Sequence, residues 1–353
     1  MYMHKLFHTH SPFRIFWFSI LATVGTLIGV TLGLGPSALF IALILIVVEI
    51  TFSFENAIIN AKILAKMSKF WQNIFLTVGI FIAIFGMRVV FPIVIVMITT
   101  GFGWNTVLDL ALNNPIQYSE ALDAAHPEIA AFGGAFLLML ALHFFFDAER
   151  EILWIKRLEK WFQKFSYNWV PAAISILVIG ILGLLPFNEH PNETWIAGGI
   201  GIVTYSILQI VIKLFERIKT KSDEKRGSSS KVLQQTGMVA FTSFIYLEIL
   251  DASFSFDSVV GAFAVTTDVL LIALGLGIGA IWVRSLTIFM VRRGTLHAYK
   301  YLEHGAHYTV LVLSGVLLLG IFWHVPEIVA GIIGIGLIGS AILSSRTGKK
   351  VTA

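Results

Sequence analysis

The sequence predicts an all-α membrane protein of about ten transmembrane helices, with two inverted three-helix repeats and broken acidic helices. Three observations support this prediction. Hydrophobic residues make up 57% of the 353 residues and charged residues only 13%, against about 25% charged in soluble domains. The basic residues fall almost entirely on alternate connections between apolar stretches. Two acidic segments, one in each half of the chain, resemble each other.

Ten mostly apolar stretches come close to the length of about 20 residues that a membrane-spanning helix needs. They are roughly Phe13–Leu34, Pro36–Leu64, Phe70–Thr100, Ile129–Phe146, Val170–Leu185, Thr194–Phe215, Val232–Thr267, Val269–Val291, Gly305–Trp323 and Pro326–Leu343. The first is interpreted as a span and not as a cleaved signal peptide. It is too long for a signal h-region, and no A-x-A site precedes Pro36.

The distribution of Lys and Arg predicts the orientation. With the N-terminus placed in the cytoplasm, all but two of the 25 basic residues fall on cytoplasmic segments, and the outer connections hold none. The exceptions, Arg88 and Arg284, lie inside spans. The positive-inside rule therefore places both termini in the cytoplasm, in a multi-pass protein of the bacterial inner membrane. The net charge of +4 is attributed to this orientation, with the lipid bilayer and no nucleic acid as partner.

Three connections between spans have recognisable character. The outer segment Gly101–Glu128 is acidic, and we expect a solvated loop there, with a cation-attracting vestibule as the alternative. The inner segment Glu149–Trp169 alternates aromatic with basic residues and predicts an amphipathic helix on the membrane surface. The polar segment Lys219–Lys231 predicts a flexible cytoplasmic linker between the halves.

Seven ionisable residues fall inside predicted spans. They are Glu49, Glu55, Glu248, Asp251, Asp257, Arg88 and Arg284. An unpaired charge at the bilayer centre costs about 2.5–3.5 kcal/mol, so these groups must be paired, protonated, hydrated or bound to a ligand. Five acids against two arginines leave an excess of negative charge that ion pairs alone cannot neutralise. We expect the arginines to act as structural counter-charges, and bound cations or protons to supply the rest.

The two acidic segments indicate an internal repeat. Aligning Ser-Phe-Glu-Asn at 53–56 with Ser-Phe-Asp-Ser at 255–258 places Glu49 opposite Asp251, and one Arg follows in the next span of each unit. The units are spans two to four and seven to nine. Two spans lie between them, so the units have opposite orientation, as in many secondary transporters. The predicted divisions of the chain are residues 1–35, 36–147, 148–231, 232–323 and 324–353.

Both acidic spans are longer than a crossing requires, which predicts a break in each. Pro36–Leu64 and Val232–Thr267 exceed the roughly 20 residues that suffice. Breaks near Ser53 and near residues 253–255 would aim the acids at one cavity, with Ser53 and Ser255 as N-caps of the resuming helices. Irregular backbone at this depth is tolerated where it is buried in protein or lines a cavity.

The polar groups of these segments form an all-oxygen set of candidate ligands. Carboxylates, Asn56 and the hydroxyls of Ser53, Ser255 and Ser258 suit hard or borderline divalent cations. The chain has no cysteine, which excludes thiolate metal sites and a Cys nucleophile. It has no nucleotide-binding loop and no nucleophile–base motif. We therefore expect no enzyme activity, no catalytic residues and no cofactor.

At these residues the chain resembles the TerC/Alx family of integral membrane proteins. The stretch E-I-L-D-A-S-F-S-F-D-S from Glu248 resembles its second signature, and E-I-T-F-S-F-E-N-A from Glu49 its first. The sequence departs at Glu55, where the family usually has Asp, and at Val260, where it usually has Pro. The family is linked to manganese export and carries a tellurite-resistance name.

The resemblance implies a metal site and a transported ion. The implied metal ligands are Glu49, Glu55, Asn56, Glu248, Asp251, Asp257 and Ser258, with Ser53 and Ser255 as additional candidates. The sequence-based hypothesis is a secondary transporter that exports a divalent cation, Mn²⁺ by the resemblance. Two alternatives stay open. One is an exporter of amino acids or small organic solutes, and the other is a membrane scaffold that aids insertion or assembly of other proteins.

Overall fold

A computed structural model describes residues 12–225, 236–263, 265–323 and 327–350, and these residues contain helices and no strand. The α-helices are α1 (Pro12–Leu34), α2 (Pro36–Phe52), α3 (Phe54–Ala65), α4 (Lys69–Phe81), α5 (Phe91–Thr100), α6 (Trp104–Asn113), α7 (Pro115–Phe145), α8 (Lys156–Gln163), α9 (Val170–Leu184), α10 (Pro191–Lys225), α11 (Gly237–Phe263), α12 (Val269–Arg293), α13 (Thr295–Ala298), α14 (Leu302–Gly320) and α15 (Glu327–Lys350). A π-helix, π1 (Ile82–Val90), joins α4 to α5.

The all-α membrane class is confirmed, and nine of the predicted spans meet the length and apolarity that crossing requires. Eight helices in the described part of the chain qualify singly, and the bent pair α2–α3 makes a ninth. Many of their outward side chains are large and apolar, such as Leu32, Ile98 and Leu184, which are 74–83% exposed. An apolar surface of this kind is favourable in contact with lipid and unfavourable in contact with water.

The tenth predicted span, α9, is shorter than a typical crossing helix. Its 15 residues extend only about 22 Å at 1.5 Å per residue. It nevertheless runs antiparallel to α10, since Gly183 lies against the Trp195 ring and Ile179 against Gly198. The ring of Phe187, just beyond α9, stacks on Trp323 at 5.4 Å between centroids. These contacts hold α9 against the first turns of α10 and place the connection between the two helices beside Trp323.

Two predicted connections are wrong in detail. The acidic segment expected to be a loop forms α6 and the first turns of α7, which begins at Pro115 and not near Ile129. Proline at the first turn of a helix loses no hydrogen bond, so Pro115 is a suitable start. The linker expected at Lys219–Lys231 is helical up to Lys225 as part of α10, and its remainder lies outside the described residues.

The first acidic span is broken where the sequence predicts. The axes of α2 and α3 differ by 50°, and Ser53 lies between them. The break predicted in the second acidic span is wrong, because α11 continues through residues 253–255. The hydroxyl of Ser253 donates to the carbonyl oxygen of Ile249, 3.0 Å away and one turn earlier. This bond satisfies the hydroxyl within a continuous helix. The N-cap role predicted for Ser255 is also wrong, because no new helix begins there.

The two predicted repeats interlock through reciprocal contacts. Helix α2 of the first unit packs on α12 of the second, while α11 of the second packs on π1 and α4 of the first. The third helices of the two units, α7 and α14, pack on each other. Each pairing maps onto its counterpart when the units are exchanged, as an approximate two-fold relation requires. The main apolar core lies around α7, with α3, α10, α11 and α14.

The amphipathic helix α8 is shorter than the segment predicted for it and is anchored to the protein by a buried carboxylate. Glu159 is fully buried and accepts hydrogen bonds from the backbone N–H groups of Trp154 and Ile155 at 3.2 and 3.1 Å. The Tyr308 hydroxyl on α14 donates to the same carboxylate at 3.2 Å. Trp161 of α8 stays 53% exposed and is available to the membrane surface.

The environment of Glu159 lowers its pKa. Burial raises the pKa of this carboxyl, but a contact with the His304 Nε2 at 3.3 Å, the Ile155 N–H and the charge of Arg150 together outweigh it, so the pKa lies below its ordinary value. The stabilising contribution of Glu159 is therefore complete above the ordinary Glu pKa. It is lost as the pH falls through the lowered value.

We predict that Glu159→Ala destabilises the protein by about 3 kcal/mol, because two backbone donors and a tyrosine hydroxyl lose their acceptor. Thermal unfolding in detergent measures the effect. The difference from wild type should be constant at neutral pH and shrink as the pH falls below about 4, because the unfolded wild-type chain then takes up a proton that the folded protein, with its lowered pKa, does not. Glu151→Ala, an exposed acid nearby, is the control and should change little. An equal effect of both substitutions would contradict the anchoring role.

Candidate functional site

Polar side chains lie at the break between α2 and α3, within the membrane-spanning part of the chain. Glu49, in the last turn of α2, is 1% exposed. The Ser53 hydroxyl donates to its Oε1 at 3.1 Å. The expected capping role of Ser53 is therefore wrong, since this side chain accepts no backbone N–H of α3. Ser53 lies at the junction as predicted, but it orients the carboxylate of Glu49.

Arg88 is held in π1 and points at Glu49. Its Nη1 donates to the carbonyl oxygen of Ala83, 2.8 Å away, and its Nη2 forms a buried ion pair with Glu49 Oε1. Pro92 has no N–H to donate to the carbonyl of Arg88, and the wider π-helical turn precedes it. Single π-helical segments are frequent at functional sites. Arg88 Nη1 also lies 3.9 Å from Asp251 Oδ2 of the other repeat.

Arg284, on α12, binds two acids of α11. Its two terminal nitrogens donate to the two Glu248 oxygens at 2.9 Å each, a bidentate pairing, and Nη2 lies 3.0 Å from Asp251 Oδ2. The guanidinium also stacks over the Phe75 ring, 4.3 Å from its centroid. Each arginine therefore pairs with a carboxylate of its own repeat, which is the arrangement that the predicted counter-charge role requires.

Asp251 is the meeting point of the two repeats. One oxygen receives Arg284 and faces Arg88, and the other accepts a hydrogen bond from Asn56 Nδ2 at 2.7 Å. The pairs Arg88–Glu49 and Arg284–Asp251 occupy equivalent positions in the alignment of the two units. The geometry therefore agrees with the repeat at the level of individual ion pairs.

The described part of the cluster contains more negative than positive charge. Glu55, in the first turn of α3, is 6% exposed, and no basic group among the described residues lies within ion-pair distance of it. Four buried carboxylates face two arginines, a formal charge of −2 if all are ionised. Glu55 lies in the N-terminal turn of α3, where the helix dipole stabilises the ionised carboxylate only in part. A buried excess of this size requires protons or a bound cation.

The full predicted ligand set is not assembled in the described part of the chain. No group of three or more His, Asp or Glu there could hold a metal ion. Asp257 lies on α11, but its side chain is outside the described residues. Ser258 is buried on the same helix, and the Ser255 hydroxyl is buried without a hydrogen-bond partner among the described atoms. Glu49, Asn56, Glu248 and Asp251 are brought together, with the arginines between the acids.

Two glycines that the sequence analysis did not single out for the site make room for the cluster. A side-chain carbon at Gly79 of α4 would collide with Arg284 and Glu248, and one at Gly279 would lie 2.5 Å from the Glu49 Cβ. Gly275 lies close to Leu45 in the same way, so the small residues of α12 allow α2 to approach closely. The sequence carries one signal for Gly79: it precedes Arg88 by nine residues, as Gly275 precedes Arg284 in the second unit.

A polar cavity of about 270 Å³ opens beside α3, and the sequence analysis did not find it. Its lining includes Lys62, Lys66, Lys213, His143, His307 and Asp147. Ile59 and Lys62 line it one and two turns after Glu55 on the same face of α3, so the cavity leads along that helix toward Glu55. Lysine outnumbers carboxylate in this lining.

Comparison with known proteins gives a family without an activity. A family model described as "Protein of unknown function (DUF475)" matches residues 54–351, more than four fifths of the chain. The chain belongs to the DUF475 family. A search of curated proteins and a search of solved structures find no match. The DUF475 match covers α3 and all of the second acidic segment, while Glu49 and Ser53 precede it.

We predict that Gly279→Ala lowers stability by about 1–3 kcal/mol, because the added methyl group displaces the Glu49 side chain or separates α2 from α12. The matched control is Gly199→Ala, a helical glycine with no atom within 4 Å of the added carbon, and it should melt at or above the wild-type temperature. Thermal unfolding in detergent distinguishes the two. A Gly279→Ala protein as stable as the control would contradict the close approach.

A double-mutant cycle tests the buried pair of Arg88 and Glu49. Arg88→Gln alone leaves a buried carboxylate uncompensated and should cost about 3–5 kcal/mol. The double variant Glu49→Gln/Arg88→Gln should be markedly more stable than Arg88→Gln, since neither charge is then left unpaired. Unfolding in mixed micelles supplies the free energies, with exposed Arg157→Gln as a neutral control. Strictly additive effects would show that the two groups do not interact.

Proposed function

We propose that this DUF475 protein is a secondary transporter that exports a divalent metal cation through the buried acid cluster. The observation that carries the proposal is the excess of carboxylate over arginine at a helix break within the membrane spans. A structural cluster needs no such excess, because ion pairs alone would be cheaper. The choice of Mn²⁺ as the exported ion rests on the resemblance to the TerC/Alx family.

The charges of the cluster suggest how a cation would be bound. One divalent cation would bring the four carboxylates and two arginines to zero net charge, and two protons would do the same. Exchange of one divalent cation for two protons would therefore leave the net charge of the cluster constant. Such an exchange avoids the free-energy cost of an uncompensated charge inside the membrane. Glu55 is the first candidate to receive the ion, because no arginine whose side chain the structure describes forms an ion pair with it.

Cation binding by the other acids requires that they leave their arginines. Asp251 is held by Arg284 and Asn56, and Glu49 by Arg88 and Ser53. A cation that replaces an arginine at Asp251 would loosen the contact between the repeats, because Asp251 faces both arginines. Binding would in this way be coupled to movement of one repeat against the other.

One observation favours the second candidate, an exporter of amino acids or other small charged solutes. The cavity that leads toward Glu55 carries three lysines, whose charge repels a bare cation and attracts a carboxylate. Lys62 is neutralised by an ion pair with Glu303, but no acidic partner of Lys66 or Lys213 is present among the described residues. A solute with both charges would be compatible with this lining and with the arginines and acids deeper in the protein.

The test is flux into proteoliposomes, with Mn²⁺, Ca²⁺, Mg²⁺ and Zn²⁺ compared for wild type and Glu55→Gln. We expect saturable Mn²⁺ flux accompanied by proton counter-flow, reduced at least tenfold in the variant. Glu55→Gln breaks no described ion pair, so the protein should stay folded, as its melting temperature will show. The control is Glu120→Gln, an exposed acid on α7, which should transport like wild type.

The outcomes separate the two candidates. Metal flux equal in wild type and Glu55→Gln would exclude this carboxylate from the path. Absence of any metal flux, together with uptake of labelled amino acids, would replace the cation by an organic solute. A folded protein that transports neither would contradict transport and favour the scaffold alternative.

A further inference from the structure

A second cavity lies on the lipid-facing side of the molecule, away from the acid cluster. It has a volume of about 580 Å³ and lies between α1, α4 and α12. Its lining contains the apolar residues Ile15, Leu76 and Ile80 above the fully buried Ile288, with Asn73 and Ser285 as polar neighbours. Trp17 and Phe18 of α1 also line it and are 51% and 43% exposed. The groove is therefore open to the surrounding membrane.

Two basic residues stand at one end of this groove. Lys69 is the first residue of α4 and Arg292 lies in the last turn of α12, and both are exposed. No carboxylate lies within ion-pair distance of either in the described part of the chain, and no acidic residue lines the groove. The N-terminus of α4 adds to the positive potential, since its first turn contains Lys69 and no acid.

Position along the helices separates the charged end from the apolar end. Leu76 and Ile80 follow Lys69 by two and three turns of α4, so they lie deeper in the membrane. The positive-inside rule assigns the ends of α4 and α12 that carry Lys69 and Arg292 to the cytoplasmic side. The groove thus combines a positive site at the level of the inner headgroups with an apolar channel beneath it.

We propose that this groove is a binding site for one anionic phospholipid of the inner leaflet. Lys69 and Arg292 bind the headgroup phosphate, and an acyl chain lies against Leu76 and Ile80. The Gln72 amide is already engaged, since it donates to the carbonyl oxygen of Met67 at 3.1 Å. The two cations therefore provide the selectivity for negative over zwitterionic lipid. The bound lipid ties α1, which precedes the first repeat, to helices of both repeats.

The experiment is native mass spectrometry of the full chain released from nanodiscs that contain phosphatidylcholine and phosphatidylglycerol. Wild type should retain one phosphatidylglycerol in preference to phosphatidylcholine. In Lys69→Gln/Arg292→Gln, affinity for that lipid should fall about 30-fold, because each basic contact near the surface is worth about 1 kcal/mol. The matched control Arg293→Gln/Lys300→Gln removes two exposed inner charges that do not line the groove and should retain the lipid.

A second readout places the acyl chain. Phosphatidylglycerol with brominated acyl chains should quench part of the tryptophan fluorescence, and that part should disappear in Trp17→Phe. Equal retention of the two lipids, or equal loss in both double variants, would overturn the proposal. Binding of the lipid only after residues 2–10 are removed would also overturn the proposal, because the N-terminal segment of the chain would then be the groove's own occupant.

Discussion

The structure depends on one buried carboxylate shared between two arginines. Asp251 lies 3.0 Å from Arg284 and 3.9 Å from Arg88, and Asn56 satisfies its second oxygen. Removing either arginine would leave a carboxylate without its ion pair in a medium that does not solvate it. The elements around it follow from this constraint: the π-helical turn positions Arg88, and glycines on α4 and α12 allow the helices to approach the ion pairs. The repeats are joined by electrostatics as much as by apolar packing.

Much of this arrangement is predictable from the sequence, and the limits have physical causes. The spans follow from apolar length, and the pairing of Arg88 and Arg284 with membrane acids follows from the cost of isolated charge. The break at Ser53 was predicted, but the same reasoning failed for the break near residues 253–255 with Ser255 as its N-cap, where the helix continues and the Ser253 hydroxyl bonds to the preceding turn. The sequence shows that a hydroxyl is present, and only the fold decides whether it caps a helix or continues one.

The acids also show where sequence reasoning about a site stops. The sequence shows which oxygen-bearing side chains are present and how many there are. Whether these side chains meet at one point depends on how the helices pack, which no local pattern shows. The fold directs Glu49, Glu248 and Asp251 to arginines, so the described groups form ion pairs and not a ready cation cage. The lysine-lined cavity was not predicted because its members come from α3, α7, α10, α11 and α14, too far apart in sequence for any local pattern.

The asymmetry of the ion pairs bears directly on the proposed transport. Exchange of the two repeats converts Arg88 into Arg284 and Glu49 into Asp251. Arg88 approaches Asp251 of the other repeat, yet the described ion pairs include no matching contact between Arg284 and Glu49. Inverted repeats generate their second conformation by exchanging roles. In that conformation Arg284 would reach Glu49 and Arg88 would release Asp251, while every described carboxylate of the cluster except Glu55 kept an arginine.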